Sequence, residues 1–266
     1  MLLSASELSA EPEAAKPHPE PGHPGPGADR AAPEATSAGG KAERWEAALE
    51  SIPVVALLEG LEPGEAVAVG RALAEAGVHL LAVPLPAQGA LQSLRLLAGA
   101  VPRGTVVGAS CVLTENEVCA VHQAGGSFVL SPNTDPKVIQ RTKGLGLAAL
   151  PGVTSPSEAF SALRLGADGL NAFPAEQMPP STIKALCAVL PRGVRILATG
   201  TDAPDDMAGY WAAGVRGFGA TAKLFRPGDA PDLVRRRAGA LLEACLKARP
   251  GARPSQRAPR PARPPW

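Results

Sequence analysis

The sequence predicts an α/β protein built as a single (β/α)8 (TIM) barrel, with a short helix ahead of the first strand. Short apolar runs alternate with segments of helical periodicity between residues 42 and 248, and each run is bounded by Gly or Pro. Eight such strand–helix units favour a parallel sheet that closes on itself. An open doubly wound sheet is the alternative, but the segment 59–63 lacks the Gly-rich phosphate loop that such a sheet more often carries after its first strand.

The elements follow from local signals along the chain. The predicted strands cover residues 54–59, 79–85, 105–111, 127–132, 147–152, 169–174, 195–200 and 215–220. Pro63 opens one helix, and Thr114 with Glu117 and Ser155 with Glu158 form capping-box patterns that open two others. Four glycines fall where helices should stop, namely Gly77, Gly125, Gly144 and Gly166.

Three further segments lie at the two ends of the chain. Residues 42–51 predict a short helix that plugs the barrel floor, with Trp45 and Ile52 packed as core. Residues 1–41 are rich in Pro, Ala and Gly and are expected to form a disordered tail. Residues 249–266 are a basic Pro/Arg-rich tail, which is expected to be solvated or to dock a polyproline-binding groove or an anionic surface.

Composition narrows the class of protein. Hydrophobic residues make up 45% of the chain but aromatic residues only 3%, so the core must consist mainly of Ala, Val and Leu. The net charge of +1 argues against nucleic acid or a membrane surface as a partner. No apolar run reaches the roughly 18 residues that span a membrane, and no secretory signal is expected at the start. Four cysteines without a CxxC pair favour reduced thiols and a cytoplasmic protein.

A barrel of this kind places its chemistry at the carboxyl ends of its strands. Those ends carry many small and hydroxyl residues and no histidine, which leaves acid–base catalysis by histidine unsupported. Glu59, Glu176 and Asp202 can reach this face, but without a histidine or a tight spacing they favour a solvated rim. The sequence therefore predicts neither a metal site nor a cofactor.

The ends of the last two predicted strands are candidates for binding a phosphate. Gly200, Thr201, Gly219 and Ala220 lie where each strand turns toward a helix, and turns of this kind expose backbone N–H groups. The alternative is that the glycines only permit tight turns.

Motifs along the whole barrel resemble one enzyme family. They are Leu57-Leu58-Glu59-Gly60-Leu61, Val83-Pro84-Leu85, Ser131-Pro132-Asn133, Pro151-Gly152-Val153-Thr154, Phe173-Pro174 and Phe225-Arg226-Pro227-Gly228. In order and spacing, residues 45–247 resemble the class I aldolases of 2-keto-3-deoxy-6-phosphogluconate and its galactonate epimer, closest to the galactonate branch. The resemblance implies a homotrimer, no cofactor and a reaction of carbohydrate metabolism, the reversible cleavage of a phosphorylated keto-deoxy sugar acid to pyruvate and glyceraldehyde 3-phosphate.

Three catalytic positions of that family carry other residues in this chain. The resemblance implies a Schiff-base lysine at Asn171, a proton-shuttling glutamate at Ala82 and a carboxylate-binding arginine at Glu59. An amide cannot form an imine, because its nitrogen lone pair is delocalised into the carbonyl. Glutamate in place of arginine reverses the charge and should repel the carboxylate of pyruvate.

The resemblance also implies a set of pocket walls. These substrate-binding positions are Cys111, which replaces a threonine, and Ser131, Pro151, Gly152, Thr154 and Phe173. The segment Ala220-Thr221-Ala222-Lys223 departs from the serine-bearing turn of the family at the phosphate end.

Three hypotheses follow for function. The first is an aldolase-like pseudoenzyme, non-catalytic or severely impaired, which keeps the barrel and binds a small phosphorylated sugar acid. The second is an active lyase whose imine-forming lysine has moved to Lys223, after the last strand. The third is a trimeric scaffold whose basic tail recruits a partner.

Overall fold

The fold is a closed parallel sheet wrapped by helices. The computed structural model describes residues 40–200 and 204–250. Its strands are β1 (Val54–Leu57), β2 (Leu80–Pro84), β3 (Val106–Ser110), β4 (Phe128–Leu130), β5 (Ala148–Leu150), β6 (Gly152–Val153), β7 (Leu170–Ala172), β8 (Ile196–Thr199) and β9 (Gly217–Ala220). They pair in parallel in the order β5-β4-β3-β2-β1-β9-β8-β7-β6.

Helices follow the strands along the chain. They are α1 (Lys41–Ser51), α2 (Pro63–Glu75), α3 (Ala90–Ala100), α4 (Glu115–Gln123), α5 (Pro136–Gly144), α6 (Pro156–Arg164), α7 (Pro180–Val189), α8 (Pro204–Ala213) and α9 (Pro231–Ala248), with a short 3₁₀ helix at Ala175–Gln177. The predicted capping boxes are confirmed: the side chains of Thr114 and Ser155 accept hydrogen bonds from the N–H groups of Glu117 and Glu158.

The barrel closes through a single stretch of chain that the sequence predicts as one strand. This stretch is divided at Pro151 into β5, which pairs with β4, and β6, which pairs with β7. The N–H of Asp168 donates to the oxygen of Ala149, and the N–H of Asn171 donates to the oxygen of Pro151, each at 2.9 Å. The (β/α)8 barrel is therefore confirmed, with its fifth strand broken at a proline that has no N–H for the ladder.

Alternate strand residues point to the two sides of the sheet and form two apolar layers. The inner layer contains Val55, Leu57, Leu80, Ala82, Val106, Phe128, Leu130, Ala148, Leu150 and Leu197. Trp45, Ala48 and Leu49 of α1 pack into this layer, so the predicted plug helix is present. Ile52, which was expected beside Trp45, packs instead against the layer between the sheet and the outer helices.

The two ends of the described chain lie close to the predicted barrel limits. Helix α1 begins at Lys41, and α9 ends at Ala248, after which Arg249 lies 5.3 Å from the ring centre of Trp211. The rest of both predicted tails, residues 1–39 and 251–266, lies outside the described residues. Among the helices of residues 40–200 and 204–250, none has the length and apolar character to cross a membrane.

Candidate functional site

A cavity of about 380 Å³ opens at the carboxyl ends of the barrel strands, where the fold predicts chemistry. Its lining consists of Leu57, Glu59, Pro84, Ser110, Cys111, Leu130, Pro132, Asn171, Phe173, Glu176, Thr199, Gly200 and Thr221. Seven strands contribute their last residue or the residue just after it. The cavity floor is therefore the apolar inner layer of the barrel, and its rim is formed by the loops.

Asn171 occupies the inward-facing middle position of β7 and is only 1% exposed. The hydroxyl of Thr199, on the neighbouring strand β8, donates to its Oδ1 at 2.7 Å. The amide nitrogen Nδ2 is buried and has no hydrogen-bond partner. Leaving a buried donor unpaired costs about 1–3 kcal/mol, so this residue of the cavity lining carries an unsatisfied donor just beneath the cavity surface.

The other two positions at which the resemblance implies catalytic residues differ in what they offer. Ala82 is fully buried in β2, opposite Leu57 of β1, and has no group that can move a proton. Glu59 lies just beyond β1, is exposed and lines the cavity. Glu176, in the 3₁₀ helix after β7, is a second exposed carboxylate in the lining.

The charge at this cavity has one sign. No Lys, Arg or His lines it among the residues described, and neither Glu59 nor Glu176 belongs to an ion pair there. Residues 201–203, which follow Gly200 and lie outside the described part, read Thr-Asp-Ala and add no basic side chain. Two carboxylates in a lining that has no described basic side chain favour a negative potential at the rim.

Cys111 follows β3 and carries the one left-handed backbone among the described non-glycine residues, with φ of 56°. Partial burial raises the pKa of its thiol; a hydrogen bond with Ser110 acts in the opposite direction, and the Glu59 carboxylate raises the pKa further. A thiol with a raised pKa is a weak nucleophile at neutral pH. Cys111 is therefore suited to line the cavity rather than to attack a carbonyl.

The remaining predicted walls fall into two groups. Phe173 lines the cavity and is 37% exposed, whereas Ser131, Pro151 and Gly152 are buried behind it and do not belong to its lining. A Cβ on Gly152 would lie 2.1 Å from the oxygen of Pro132, so only glycine fits there.

Thr154 serves a different purpose from the one predicted. It is exposed and donates from both its backbone N–H and its hydroxyl to Glu158 at the start of α6. It lines a separate apolar cavity with Met178 and Val189.

The predicted phosphate site is only partly assembled at the cavity. Gly200 lines it with φ of 92°, while Thr201 lies outside the described residues. Gly219 and Ala220 are buried in β9, and a Cβ on Gly219 would lie 2.4 Å from Cγ2 of Thr199. Packing against Thr199 therefore explains why Gly219 is a glycine, without any role in binding a ligand.

Lys223 does not line this cavity. It borders a shallower one, together with Ala222, Arg226, Arg237, Ala240 and Leu241. No described lysine amine is thus part of the cavity wall that holds Asn171. Within residues 40–200 and 204–250, no cluster of three or more His, Cys, Asp or Glu side chains could hold a metal ion.

Sequence reasoning missed the apolar floor of the cavity. Leu57 and Leu130 end β1 and β4 and share the inward-facing layer with Ala82. The period-two alternation of the strands carried that signal, since it assigns these leucines to the inner face. The Thr199–Asn171 hydrogen bond carried no such signal, because it joins residues 28 positions apart on neighbouring strands.

Comparison of this chain with known proteins shows which family it resembles in sequence. The family model described as KDPG and KHG aldolase matches residues 45–224. The probable 2-dehydro-3-deoxy-6-phosphogalactonate aldolase of Rhizobium meliloti (strain 1021) is 39% identical over 192 residues, which cover 72% of this chain and 91% of that protein.

Solved structures agree with that result. The native KDPGal structure aligns with a TM-score of 0.71 and 34% identity, covering 74% of this chain and 96% of that one. A cube-shaped protein cage designed by fusing symmetric oligomeric domains aligns with the same score and identity, covering 74% and 73%. KDPG aldolase from Legionella pneumophila, with pyruvate captured as a covalent carbinolamine intermediate, aligns with a TM-score of 0.67 and 25% identity, covering 74% and 97%. The chain belongs to the KDPG and KHG aldolase family.

Proposed function

We propose that this chain is a ligand-binding member of the aldolase family that does not carry out Schiff-base aldol cleavage. The observation that carries the proposal is Asn171, an amide at the position where the family resemblance implies the imine-forming lysine, in a cavity that no described lysine lines. The Legionella relative captures pyruvate as a carbinolamine, an adduct that needs an amine nucleophile.

The substitutions at Ala82 and Glu59 also disfavour Schiff-base aldol cleavage. Ala82 cannot relay protons, and general acid–base catalysis contributes roughly 10²–10⁴-fold to a rate. Glu59 places a negative charge where the resemblance implies a positive one, so it repels the carboxylate of a keto acid. Loss of all three functions leaves the walls of the cavity but none of the groups that break the carbon–carbon bond.

An active lyase that uses Lys223 is the competing function. Its amine would have to reach a carbonyl held in the cavity of Asn171, yet Lys223 borders the cavity of Arg226 and Arg237. The third hypothesis, a scaffold with a recruiting tail, depends on residues 251–266, which lie outside the described chain.

Turnover by the purified full chain tests the proposal. The protein is incubated with each phosphorylated keto-deoxy sugar acid, and released pyruvate is measured through lactate dehydrogenase. We expect a rate no higher than that of an Asn171→Ala variant prepared in the same way. Turnover that Asn171→Ala abolishes would refute the proposal, and turnover lost only in Lys223→Met would establish the relocated lysine instead.

The ligand is a separate question from the chemistry. A phosphorylated sugar acid stays a prediction, favoured by the family resemblance and by the left-handed turn at Gly200, which lines the cavity. The two carboxylates of the lining and the lack of a described cation there argue against a multiply charged anion.

A further inference from the structure

The cavity combines an unsatisfied donor with a negative rim. At its wall, Nδ2 of Asn171 is buried without a partner, while Thr199 already occupies the amide oxygen. At its opening, Glu59 and Glu176 are exposed carboxylates outside any ion pair of the described chain. A ligand that complements both features must accept a hydrogen bond at one point and carry positive charge at another.

We propose that this cavity binds a small organic cation that also bears a hydrogen-bond-accepting oxygen, such as an amino sugar, and discriminates against phosphorylated sugar acids. The proposal deepens the ligand-binding function above and rests on it. The ammonium group would lie at the carboxylates, and a ligand oxygen would accept from Asn171. Leu57, Leu130 and Phe173 supply apolar surface for the carbon skeleton.

Long-range electrostatics reinforce the contacts at the rim. The Glu59 carboxylate and the Cys111 thiol both line the cavity, and the carboxylate is the smallest of the causes that set the raised pKa of the thiol. The same negative charges would repel an anionic ligand. No Lys, Arg or His is among the described lining residues, whereas a phosphate-binding site often presents basic side chains to the anion.

Three six-carbon probes, two pyranoses and one open-chain sugar acid, separate the ligand classes. Glucosamine is a cation near neutral pH, glucose is its neutral counterpart and 6-phosphogluconate is a multiply charged anion. Binding is measured by ligand-observed NMR and by calorimetry at low salt. The full chain is used, because residues 251–266 carry arginines and their charges must be present.

Matched variants locate the binding site. Glu59→Gln and Glu176→Gln remove charge with little change in shape, and each is expected to weaken glucosamine binding about two- to fivefold. Asn171→Ala removes the donor and is expected to weaken it about two- to tenfold. Glu75→Gln, on an exposed carboxylate that ends α2 away from the cavity, is expected to leave binding unchanged. Thermal denaturation checks that each variant folds.

The account predicts that glucosamine binds more tightly than glucose, that 6-phosphogluconate does not compete, and that added salt weakens binding. Three results would each overturn it: no glucosamine binding at millimolar concentration, 6-phosphogluconate binding at least as tightly, or affinity that neither glutamine variant changes. A pyruvate-releasing activity would refute the proposed function without altering any of these binding outcomes, so the two failures are distinguishable.

Discussion

Asn171 is an amide at the position where the family resemblance implies a lysine nucleophile. The residue is only 1% exposed, so its hydrogen-bond donor is buried. Burial without a partner is unfavourable in the free protein. The oxygen of the amide accepts from Thr199, whereas its nitrogen has no partner among the described residues.

The pKa of the Cys111 thiol responds to the negative charge of Glu59. The pKa of the thiol is raised by partial burial and, in smaller part, by the Glu59 carboxylate. Glu59→Gln removes the second cause, so the pKa falls and the thiolate fraction at fixed pH rises. We expect faster alkylation of Cys111 by iodoacetamide at pH 8 and a pH–rate profile moved to lower pH, measured by peptide mass spectrometry.

Cys119 supplies the internal reference for that measurement. It lies on α4, where the Arg141 guanidinium donates to its sulfur at 3.1 Å, and it does not line the cavity. Its alkylation rate should be the same in both proteins. An unchanged or slower rate at Cys111 would show that the charge of Glu59 does not act across the rim.

At the scale of single elements, the junction between β5 and β6 holds the barrel closed. A methyl group on Gly152 would lie 2.1 Å from the backbone oxygen of Pro132. Gly152→Ala is therefore expected to destabilise the fold by about 1–3 kcal/mol, since the backbone must move to relieve the contact. Chemical denaturation measures the change.

Gly239→Ala is the matched control for the same chemical change. Gly239 lies within α9, is exposed and has no atom within 4 Å of an added Cβ. Alanine there should stabilise the protein by about 0.5–1 kcal/mol through helix propensity. Equal effects of the two substitutions would contradict the role assigned to the β5–β6 junction.

The N-terminus of α6 carries a pH-dependent cap. Glu158 accepts from the backbone N–H and hydroxyl groups of Thr154 and Ser155, and the backbone bond from Thr154 is the main reason that its pKa is lowered. A lowered pKa in the folded state contributes stability that is fully present above the ordinary value of 4.5 and is lost as pH falls through the folded value.

Glu158→Gln should therefore lower the free energy of unfolding by about 1 kcal/mol at pH 7. The difference from the natural chain should shrink as the pH is lowered below 4.5. Denaturation curves at neutral and acidic pH measure it, with Glu75→Gln as an exposed carboxylate outside the cap. A difference that stays constant with pH would contradict the linkage.

The sequence predicted the helices and strands more accurately than it predicted the residues of the candidate site. Capping boxes at Thr114 and Ser155 depend on contacts three residues apart, so local sequence predicts them. The break at Pro151 was missed, although proline cannot donate to a ladder, because the apolar run continues through it. Thr154 was assigned to the substrate wall from a family motif, whereas its hydroxyl bonds Glu158, a contact that depends on how the chain turns into α6.

At the scale of the whole molecule, the barrel is expected to assemble as a homotrimer. The family resemblance implies this state, and the designed cage similar to this chain uses symmetric oligomeric domains. Native mass spectrometry should give a species of about three times the 27.0 kDa of one chain. A single monomer peak at micromolar concentration would contradict the expectation.

The same scale explains why the fold was predictable and the ligand was not. Eight alternating units and the plug helix at Trp45 follow from periodicity that the whole chain repeats. The charge of the cavity depends on side chains that converge from distant positions, such as Glu59 and Glu176. It also depends on the absence of Lys, Arg and His from the described lining residues. Convergence of this kind becomes visible only when the barrel is closed.

Borohydride trapping with pyruvate, read by intact mass, tests the central claim most directly. The natural chain is compared with a variant that carries Asn171→Lys, Ala82→Glu and Glu59→Arg, after thermal denaturation has shown that both fold. We predict no covalent adduct on the natural chain and a pyruvyl adduct on the variant, because the cavity is intact and lacks only its reactive groups. An adduct on the natural chain, mapped to any lysine, would contradict the claim that Schiff-base chemistry has been lost.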